Sequence, residues 1–441
     1  MSAVKSDRKR ALKLAFEPEE YLVTWDLPTG EGDTFASHGV LVVNPDQAPT
    51  GTAHGAFSHI ARQMESGGAA FPQHVDVPRI TGQLANGARV LLLDAHVSYW
   101  FSTQARIDAA AAIITVADGT TDDPAGFQKI EVQVGGLDAI AGVAPIKRTS
   151  FPKNGAAGTW SAEVADAAQT WAQDGITLSL HFDGSFRAFD AHSFGIGFSP
   201  LVRVDLGDAV PFEQLIDDWV LPIRRVVSVA TGRPEPLTYV AVKIPSGDER
   251  EPRGQVFGAG ITQVPYEATQ DEVRKVDAPL QLARDEVSLL DVVTQWQSMV
   301  TDHHPLVETY GAMLHAKDQH PRSRFLLLLQ AIEGAHGHET KASFARRQKK
   351  HDEARSVVIE AVAETLDDKQ SRFLEKNLAK RPPAGLESAI NWLAKKLPGD
   401  VKKSLEKTAL VKATLGEPVN ARNAPDALRI IRNDLAHGNR G

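Results

Sequence analysis

The sequence contains no cysteine among its 441 residues. Disulfide bonds, a thiol nucleophile and a cysteine-ligated zinc site are therefore excluded, and a reducing cytoplasm is the expected location. Long apolar runs are absent too, since those at residues 90–93 and 325–329 are far too short to span a bilayer. Residues 1–10 carry charged side chains and lack the apolar core of a signal peptide. We expect a protein that stays inside the cell and has no membrane partner.

The common sequence motifs for phosphate binding and for a serine nucleophile are missing as well. The sequence has no G-x-x-x-x-G-K-[ST] loop to cradle phosphates and no G-x-S-x-G elbow to carry a serine nucleophile. A metal site is the remaining possibility, and its candidate ligands are two pairs in strand-like sequence, His181 with Asp183 and Asp190 with His192. Polar faces of strands commonly have this spacing, so we predict neither a metal nor another cofactor.

Acidic residues outnumber basic ones, and the formal net charge of −8 argues against general nucleic-acid binding. The excess is uneven, because residues 281–441 hold 25 Lys and Arg against 21 Asp and Glu, which leaves 23 against 35 in residues 1–280. The most basic stretch, residues 341–412, is predicted to be helical and to follow the phosphate backbone of RNA. The RNA-binding residues proposed within it are Arg346, Arg347, Lys349 and Lys350. A solvated helix surface is the alternative interpretation.

The length allows two or three domains, and the first part of the chain is predicted to be strand-rich. Glycine and proline separate short runs of β-branched and aromatic residues, at 21–25, 39–43, 89–101, 129–134, 176–182, 201–204, 237–242 and 255–263. We interpret this part as a β-sandwich or a barrel-like domain. An Asp183-Gly184 turn is predicted to close a hairpin after the strand at 176–182. Apolar residues at helical spacing predict one helix over 212–231, despite Pro222 within it.

The hydrophobic period changes to that of helices after residue 278. Helices are predicted at 287–300, 306–314, 322–335, 342–366, 369–380, 386–397, 401–415 and 425–437. We therefore predict an α+β protein with two domains, a strand-rich one over residues 1–275 and an all-helical one over residues 276–441.

The last predicted helix carries the sequence's best candidate for a catalytic motif, Arg432-Asn433-x-x-x-His437. Pro425 suits the first turn, and Gly438 sits where a left-handed residue ends a helix. His437 then lies in the last turn, where Asn433 can hydrogen-bond its ring. Three other Arg/His pairs have similar spacing but lack this context: Arg89/His96, Arg187/His192 and Arg346/His351.

This motif resembles the R-[polar]-x-x-x-H signature of the HEPN ribonucleases, and the whole layout resembles the ApeA-like family of bacterial anti-phage HEPN proteins. The helix at 325–333 is also of the family's type. The resemblance implies a metal-independent endoribonuclease that acts in abortive infection and leaves a 2′,3′-cyclic phosphate. It also implies a homodimer that places two motifs in one cleft, and an N-terminal domain that senses a phage-derived trigger or restrains the helical part. Family members usually continue with a further helix, whereas this sequence ends at Gly441.

Cleavage of a phosphodiester needs an acid, a base and positive charge on the phosphate oxygens. His437 can serve as acid or base, and Arg432 offers a charged planar fork for phosphate. Glu333 interrupts a predicted helix that is apolar on nearly all sides, so it needs a partner, either Arg432 or another arginine, unless it takes an exposed rotamer. A catalytically idle RNA- or partner-binding dimer with a ligand-recognising β domain is the main alternative function, and a glycan-binding sandwich is a weaker one.

Overall fold

A computed structural model describes most of the chain, and it divides the chain into two units, Met1–Gln295 and Trp296–Gly441. The described residues are 12–29, 32–55, 57, 60, 62–63, 69–70, 73–100, 103–116, 126–152, 158–159, 161–190, 193–244, 252–276, 278–315, 319–363, 365–380, 385–397, 399–417 and 421–438. No helix within these residues is long and apolar enough to cross a membrane.

Six strands of the first unit close into a barrel. They are β1 Glu20–Pro28, β2 Thr34–Val42, β3 Thr50–His54, β6 Gln73–Leu84, β7 Arg89–Trp100 and β8 Gln104–Thr115. Their order is β8-β3-β2-β1-β6-β7, and β7 pairs again with β8, so the ring has no free edge. Two very short strands, β4 Arg62–Gln63 and β5 Ala69–Ala70, pair with each other before β6. The predicted strand-rich, barrel-like domain is therefore confirmed.

The barrel core is built from alternate residues of its strands, as a pleated sheet requires. Trp25 and Leu27 of β1 are fully buried, and the Trp25 indole N–H donates to the Thr52 carbonyl at 3.0 Å. Gly82 makes room for this indole, because a Cβ at that position would lie 2.9 Å from the Trp25 ring. The aromatic ring of Tyr99 closes the same core, and its hydroxyl donates to a backbone carbonyl of β1.

The sheet continues beyond the barrel from β8 through six further strands, in the order β16-β15-β9-β14-β13-β12. Their bounds are β9 Phe127–Val134, β12 Gln169–Gln173, β13 Ile176–Asp190, β14 Ser193–Val210, β15 Leu237–Lys243 and β16 Arg253–Gly258. A separate pair, β10 Ile146–Ser150 with β11 Ser161–Val164, lies between β9 and β12 in the chain. Alternate residues Ile130, Val132 and Val134 of β9 give this extension one buried apolar face.

Short helices accompany the sheet in the first unit. A short α1, Leu137–Ala141, follows β9, and α4, Gln270–Lys275, lies near the end of the unit. The predicted helix at 212–231 is confirmed as a continuous run of α2 Phe212–Leu215, a π-helical turn Ile216–Val220 and α3 Leu221–Thr231. Pro222 falls in the first turn of α3, directly after the π-helical turn, where its missing N–H leaves no α-helical hydrogen bond broken.

The predicted hairpin turn at Asp183-Gly184 is wrong. Both residues lie inside β13, where Asp183 pairs with Ser199 and Gly184 with Phe198 of β14. The Asp-Gly turn of this region is instead Asp174-Gly175, between β12 and β13, with φ values of 51° and 81°. Two successive positive φ values form the type I′ turn that suits a two-residue hairpin. The strand at 183–184 stays extended because β14 continues to pair with it.

The first unit extends to Gln295, beyond the predicted boundary at residue 275. The segment after α4 is tied back to α1, since the Leu282 N–H donates to the Ile140 carbonyl at 2.7 Å and the Ala283 N–H to the Ala141 carbonyl at 3.2 Å. Leu282 is also almost fully buried. These contacts assign the non-helical segment between α4 and the next helix to the strand-rich unit.

The second unit is all-helical within its described residues, as predicted. Its elements are α5 Leu289–Thr301, in which the division between the units falls, α6 Pro305–His315, α7 Pro321–Glu339, α8 Lys341–Ala363, α9 Asp368–Asn377, α10 Leu386–Lys396, α11 Val401–Glu406, α12 Ala409–Leu415 and α13 Ala424–His437. The helix predicted over 401–415 is thus two helices, because the chain turns at Thr408, whose hydroxyl donates to the Leu405 carbonyl at 2.7 Å.

One apolar cluster holds α7, α10, α12 and α13 together. Its buried members are Leu329, Leu386, Ile390, Val411, Ala424, Ala427, Leu428 and Ile431. Half of them belong to α13, so the helix with the predicted motif is anchored along its apolar face. By contrast, α8 and α9 bury no side chain fully among their described residues, and polar side chains of α8 hydrogen-bond the backbone of α9 and of the segment that follows it.

Candidate active site

The motif helix α13 has well-defined ends. The side chain of Asn423 accepts a hydrogen bond from the Asp426 N–H at 3.0 Å, and Pro425 occupies the first turn. Gly438 ends the helix with φ of 77°, the left-handed conformation that glycine adopts without strain. These ends place His437 in the last turn and leave Arg432, Asn433 and His437 on the part of the helix that the apolar cluster does not cover.

An ion pair joins α13 to α7 at the centre of this site. Arg432 Nη2 donates to Glu333 Oε1 at 2.7 Å, and the two side chains are 33% and 30% exposed. The pairing that the sequence suggested for Glu333 is therefore present. The Nε of Arg432 is buried and has no partner within the described residues. Glu333 thus holds the guanidinium by one terminal nitrogen.

Asn433 is half-buried and His437 is exposed. No hydrogen bond joins their side chains in the described part of the chain, so the predicted bond from Asn433 to the imidazole is not formed. The imidazole of His437 faces solvent and can approach a substrate from the end of the helix. Asn433 lies one turn earlier on the same helix.

Arg322 is a further basic residue at this site, and it was not identified from the sequence. Its Nη2 donates to the Leu435 carbonyl in the last turn of α13. Arg322 belongs to the first turn of α7, whose N-terminus is capped by the side chain of His320. The contact joins positions 113 residues apart, so only the packing of α7 on α13 brings this second guanidinium within two residues of His437.

Asp426 stabilises the beginning of α13. Its carboxylate accepts from the Arg422 N–H at 3.1 Å and from Arg429 at 2.8 and 3.0 Å. The backbone hydrogen bond, together with the Arg429 guanidinium, lowers the pKa of Asp426 below its ordinary value. This side chain is almost fully buried, and its hydrogen bonds to Arg422 and Arg429 outweigh the cost of burying an ionised carboxylate.

The other Arg/His pairs with motif-like spacing lie in unrelated surroundings. His96 is on barrel strand β7 and pairs with Asp76 at 2.6 Å, and the His351 ring on α8 donates to the Ala379 carbonyl at 2.8 Å. His192 and the side chain of Arg187 lie outside the described residues.

The predicted RNA-binding residues lie together on α8. Arg346, Arg347, Lys349 and Lys350 are all exposed. The Arg347 guanidinium lies 5.7 Å from the centre of the Phe344 ring, which directs one of the four cations along the helix surface. The structure therefore presents the four side chains as one solvated basic patch in the first half of α8.

The strand pairs considered as metal ligands are used differently. Asp183 forms an ion pair with Arg253 at 3.0 Å, whereas His181 lies 3.7 Å from Asp183. Asp190 has no described side chain and His192 lies outside the described residues. Within the part of the chain that the structure describes, no group of three possible ligands could hold a metal ion.

Comparison with known proteins identifies the first unit. The family model of ApeA N-terminal domain 1 matches residues 20–296, more than half of the chain. That match ends one residue after the first unit does. No curated protein and no solved structure matches the chain. On the strength of the matched domain, which covers the barrel and the whole sheet extension, the chain belongs to the ApeA family of anti-phage defence proteins.

Proposed function

We propose that the second unit is a metal-independent endoribonuclease of the HEPN type, and that its activity is the effector step of abortive infection in the cytoplasm. The observation that supports this proposal best is the Arg432–Glu333 ion pair at 2.7 Å, which positions a guanidinium one turn before the exposed His437. Arginine, histidine and a positioning carboxylate are the groups that cleavage through the ribose 2′-hydroxyl needs, without a metal ion.

Each residue has a distinct role in the proposed reaction. His437 removes the proton of the ribose 2′-hydroxyl or protonates the leaving 5′-oxygen. Arg432 binds the non-bridging phosphate oxygens with the nitrogens that Glu333 leaves unused. Asn433 hydrogen-bonds the same phosphate or the adjacent ribose, and Arg322 holds the last turn of α13 in place.

One site supplies a single imidazole, whereas the reaction uses both an acid and a base. We propose that two copies of the chain associate through a two-fold interface that contains α13, so that two His437 rings share one cleft. RNA reaches the cleft along the basic patch of α8, and the N-terminal unit responds to a phage-derived trigger by releasing a restraint on cleavage.

The test is the size distribution of cellular RNA after expression. We expect fragments with the wild-type chain, and intact RNA with Arg432→Ala and with His437→Ala, while EDTA leaves cleavage by the purified protein unchanged. His351→Ala is the matched control, because His351 also follows an arginine at five residues but lies on α8; this variant should cleave normally.

The alternative is a dimer that binds RNA or a protein partner without cleaving it. It predicts RNA of normal size with the wild-type chain even when the trigger is present, and equal toxicity of wild type and His437→Ala. Loss of cleavage in EDTA, restored by Zn²⁺ or Mn²⁺, would contradict the metal-independent mechanism.

A further inference from the structure

The sheet extension of the first unit carries a cluster of charged side chains on the face opposite to its apolar one. Five neighbouring strands contribute to it, and its members are Glu131 of β9, His181 and Asp183 of β13, Arg203 of β14, Lys243 of β15 and Arg253 of β16. The strand register brings them together, since Arg203 and Ala241 both pair with Glu131, and Lys243 pairs with Arg253. Nothing in the proposed ribonuclease reaction uses this cluster.

Glu131 lies at the base of the cluster and is completely buried. Arg203 donates to its Oε1 at 2.9 and 2.5 Å, Arg253 Nε lies 2.7 Å from its Oε2, and Lys243 Nζ lies 3.6 Å from Oε1. Burial alone would raise the pKa of Glu131, but the three surrounding positive charges outweigh it and lower the pKa. The carboxylate is therefore a fixed anion that orients the three cations above it.

The cations are not neutralised by the anions beside them. Three positive side chains face only two carboxylates, Glu131 and Asp183, within the described residues. Arg203 uses Nε and Nη2, and Arg253 uses the same two nitrogens, so the Nη1 of either guanidinium has no partner in the part of the chain that the structure describes. The two arginine side chains remain 39% and 36% exposed above the buried Glu131. A surplus positive charge thus faces outward with donors available.

Another segment of the chain packs beside the cluster. The chain segment that precedes β1 packs on the same face, where Leu12 contacts Leu201 and Tyr239 and its N–H donates to Ser199. His181 pairs with Leu201 across β13 and β14, and its buried Nε2 has no hydrogen-bond partner within the described residues. Burial and the charge of Arg203 lower the pKa of His181, so its neutral ring can offer an N–H donor without adding charge.

We propose that Arg203, Lys243 and Arg253 form a binding site for the phosphate group of a small molecule. Guanidinium forks fixed by a buried carboxylate match the several oxygens of a phosphate, and fixed donors lose little conformational entropy on binding. Asp183 limits the affinity, because it occupies one terminal nitrogen of Arg253 and repels a second anion. The proposal is independent of the ribonuclease function, since it concerns only the first unit.

The test is calorimetric titration of the full chain with inorganic phosphate and, separately, with a nucleoside monophosphate, at ionic strength held constant with NaCl. Saturable binding of one phosphate group per chain is expected. Tighter binding of the nucleotide would identify the ligand as a nucleotide, and equal binding would identify it as free phosphate or another phosphomonoester. Absence of saturable binding of both would overturn the proposal.

Two variants change the affinity in opposite directions. Lys243→Met keeps both arginine contacts to Glu131 and should weaken phosphate binding about tenfold, the effect of losing one charge-assisted contact. Asp183→Asn removes the competing anion and should tighten binding severalfold, a gain that loss of folding cannot produce. Lys275→Met is the matched control, since Lys275 belongs to the same unit but lies on α4, where it pairs with Glu272 at 2.8 Å. Unchanged affinity in both cluster variants, or an equal loss in the control, would show that the cluster serves only to hold the sheet together.

Discussion

The ion pair between Arg432 and Glu333 gives a quantitative test of how the candidate active site is held. Glu333→Gln keeps an oxygen acceptor at nearly the same place and removes only the charge. The unscreened attraction across 2.7 Å is about 6 kcal/mol at an effective dielectric constant of about 20. Desolvation and water contact offset most of it, because both side chains are about a third exposed, which leaves a net contribution of about 1–2 kcal/mol to the free energy of unfolding.

The expected results follow from this magnitude. Glu333→Gln should lower the free energy of unfolding by about 1 kcal/mol, or the melting temperature by about 2–4 °C. RNA cleavage should fall about tenfold, since Arg432 loses its fixed orientation while keeping its charge. Arg432→Ala should abolish cleavage, and the losses of unfolding free energy caused by Arg432→Ala and Glu333→Gln should not add in the double variant, because the two residues act as one unit.

The assay combines single-turnover cleavage of a labelled RNA with thermal unfolding of the same samples. Glu339→Gln is the matched control. Glu339 lies on the same helix as Glu333 and also forms an ion pair, but its partner at 2.9 Å is Lys396 of α10 rather than a motif residue. This variant should change stability slightly and cleavage not at all. Additive effects of Glu333→Gln and Arg432→Ala, or full activity of Glu333→Gln, would refute the idea that Glu333 acts through Arg432.

The helices of the second unit could be predicted from sequence because their signals are local. Apolar residues at i, i+3 and i+7 define the buried face of α13, and Asn423, Pro425 and Gly438 define its ends within one turn. The same dependence on local signals explains why a single helix was predicted across Thr408, where the structure has two. Its apolar pattern continues across the break, but the backbone follows a side-chain hydrogen bond that periodicity does not report.

The strand-rich unit shows where local sequence signals fail to predict the structure. Asp174-Gly175 and Asp183-Gly184 are identical dipeptides, yet one forms a turn and the other lies within a strand. The difference is made by β14, which pairs along the whole of β13 and comes from a later part of the chain. Turn propensity is weaker than a continuous ladder of hydrogen bonds to a neighbouring strand.

Side chains that meet only through tertiary structure differ in how far the sequence predicts their pairing. Glu131 is 72 residues from Arg203, and Glu333 is 99 residues from Arg432. The second pair could be suggested because Glu333 interrupts an apolar helix and Arg432 belongs to a motif. Glu131 gave no comparable signal, because a polar residue in an alternating strand is expected to face water. It is buried beneath the Arg203, Lys243 and Arg253 side chains of the neighbouring strands.

Three further predictions concern the second unit. Charge reversal of Lys349 and Lys350 should weaken RNA binding and flatten its dependence on salt in a filter-binding assay, with cleavage of bound RNA unchanged, since such contacts act through counterion release. Arg322→Gln should slow cleavage severalfold and increase hydrogen exchange at the end of α13, because the Leu435 carbonyl loses its charged donor; unchanged exchange there would contradict the contact. The last prediction uses Asp426, whose pKa is lower in the folded chain than in the unfolded one. The stabilisation is therefore complete above the ordinary carboxylate pKa of about 3.9 and is lost as the pH falls through the lower folded value. Asp426→Asn should destabilise the chain at neutral pH and reduce the loss of stability on acidification, because the variant has no proton to take up at this position. Melting curves between about pH 3 and pH 7 measure both effects, and parallel curves for wild type and variant would show that this carboxylate does not anchor α13.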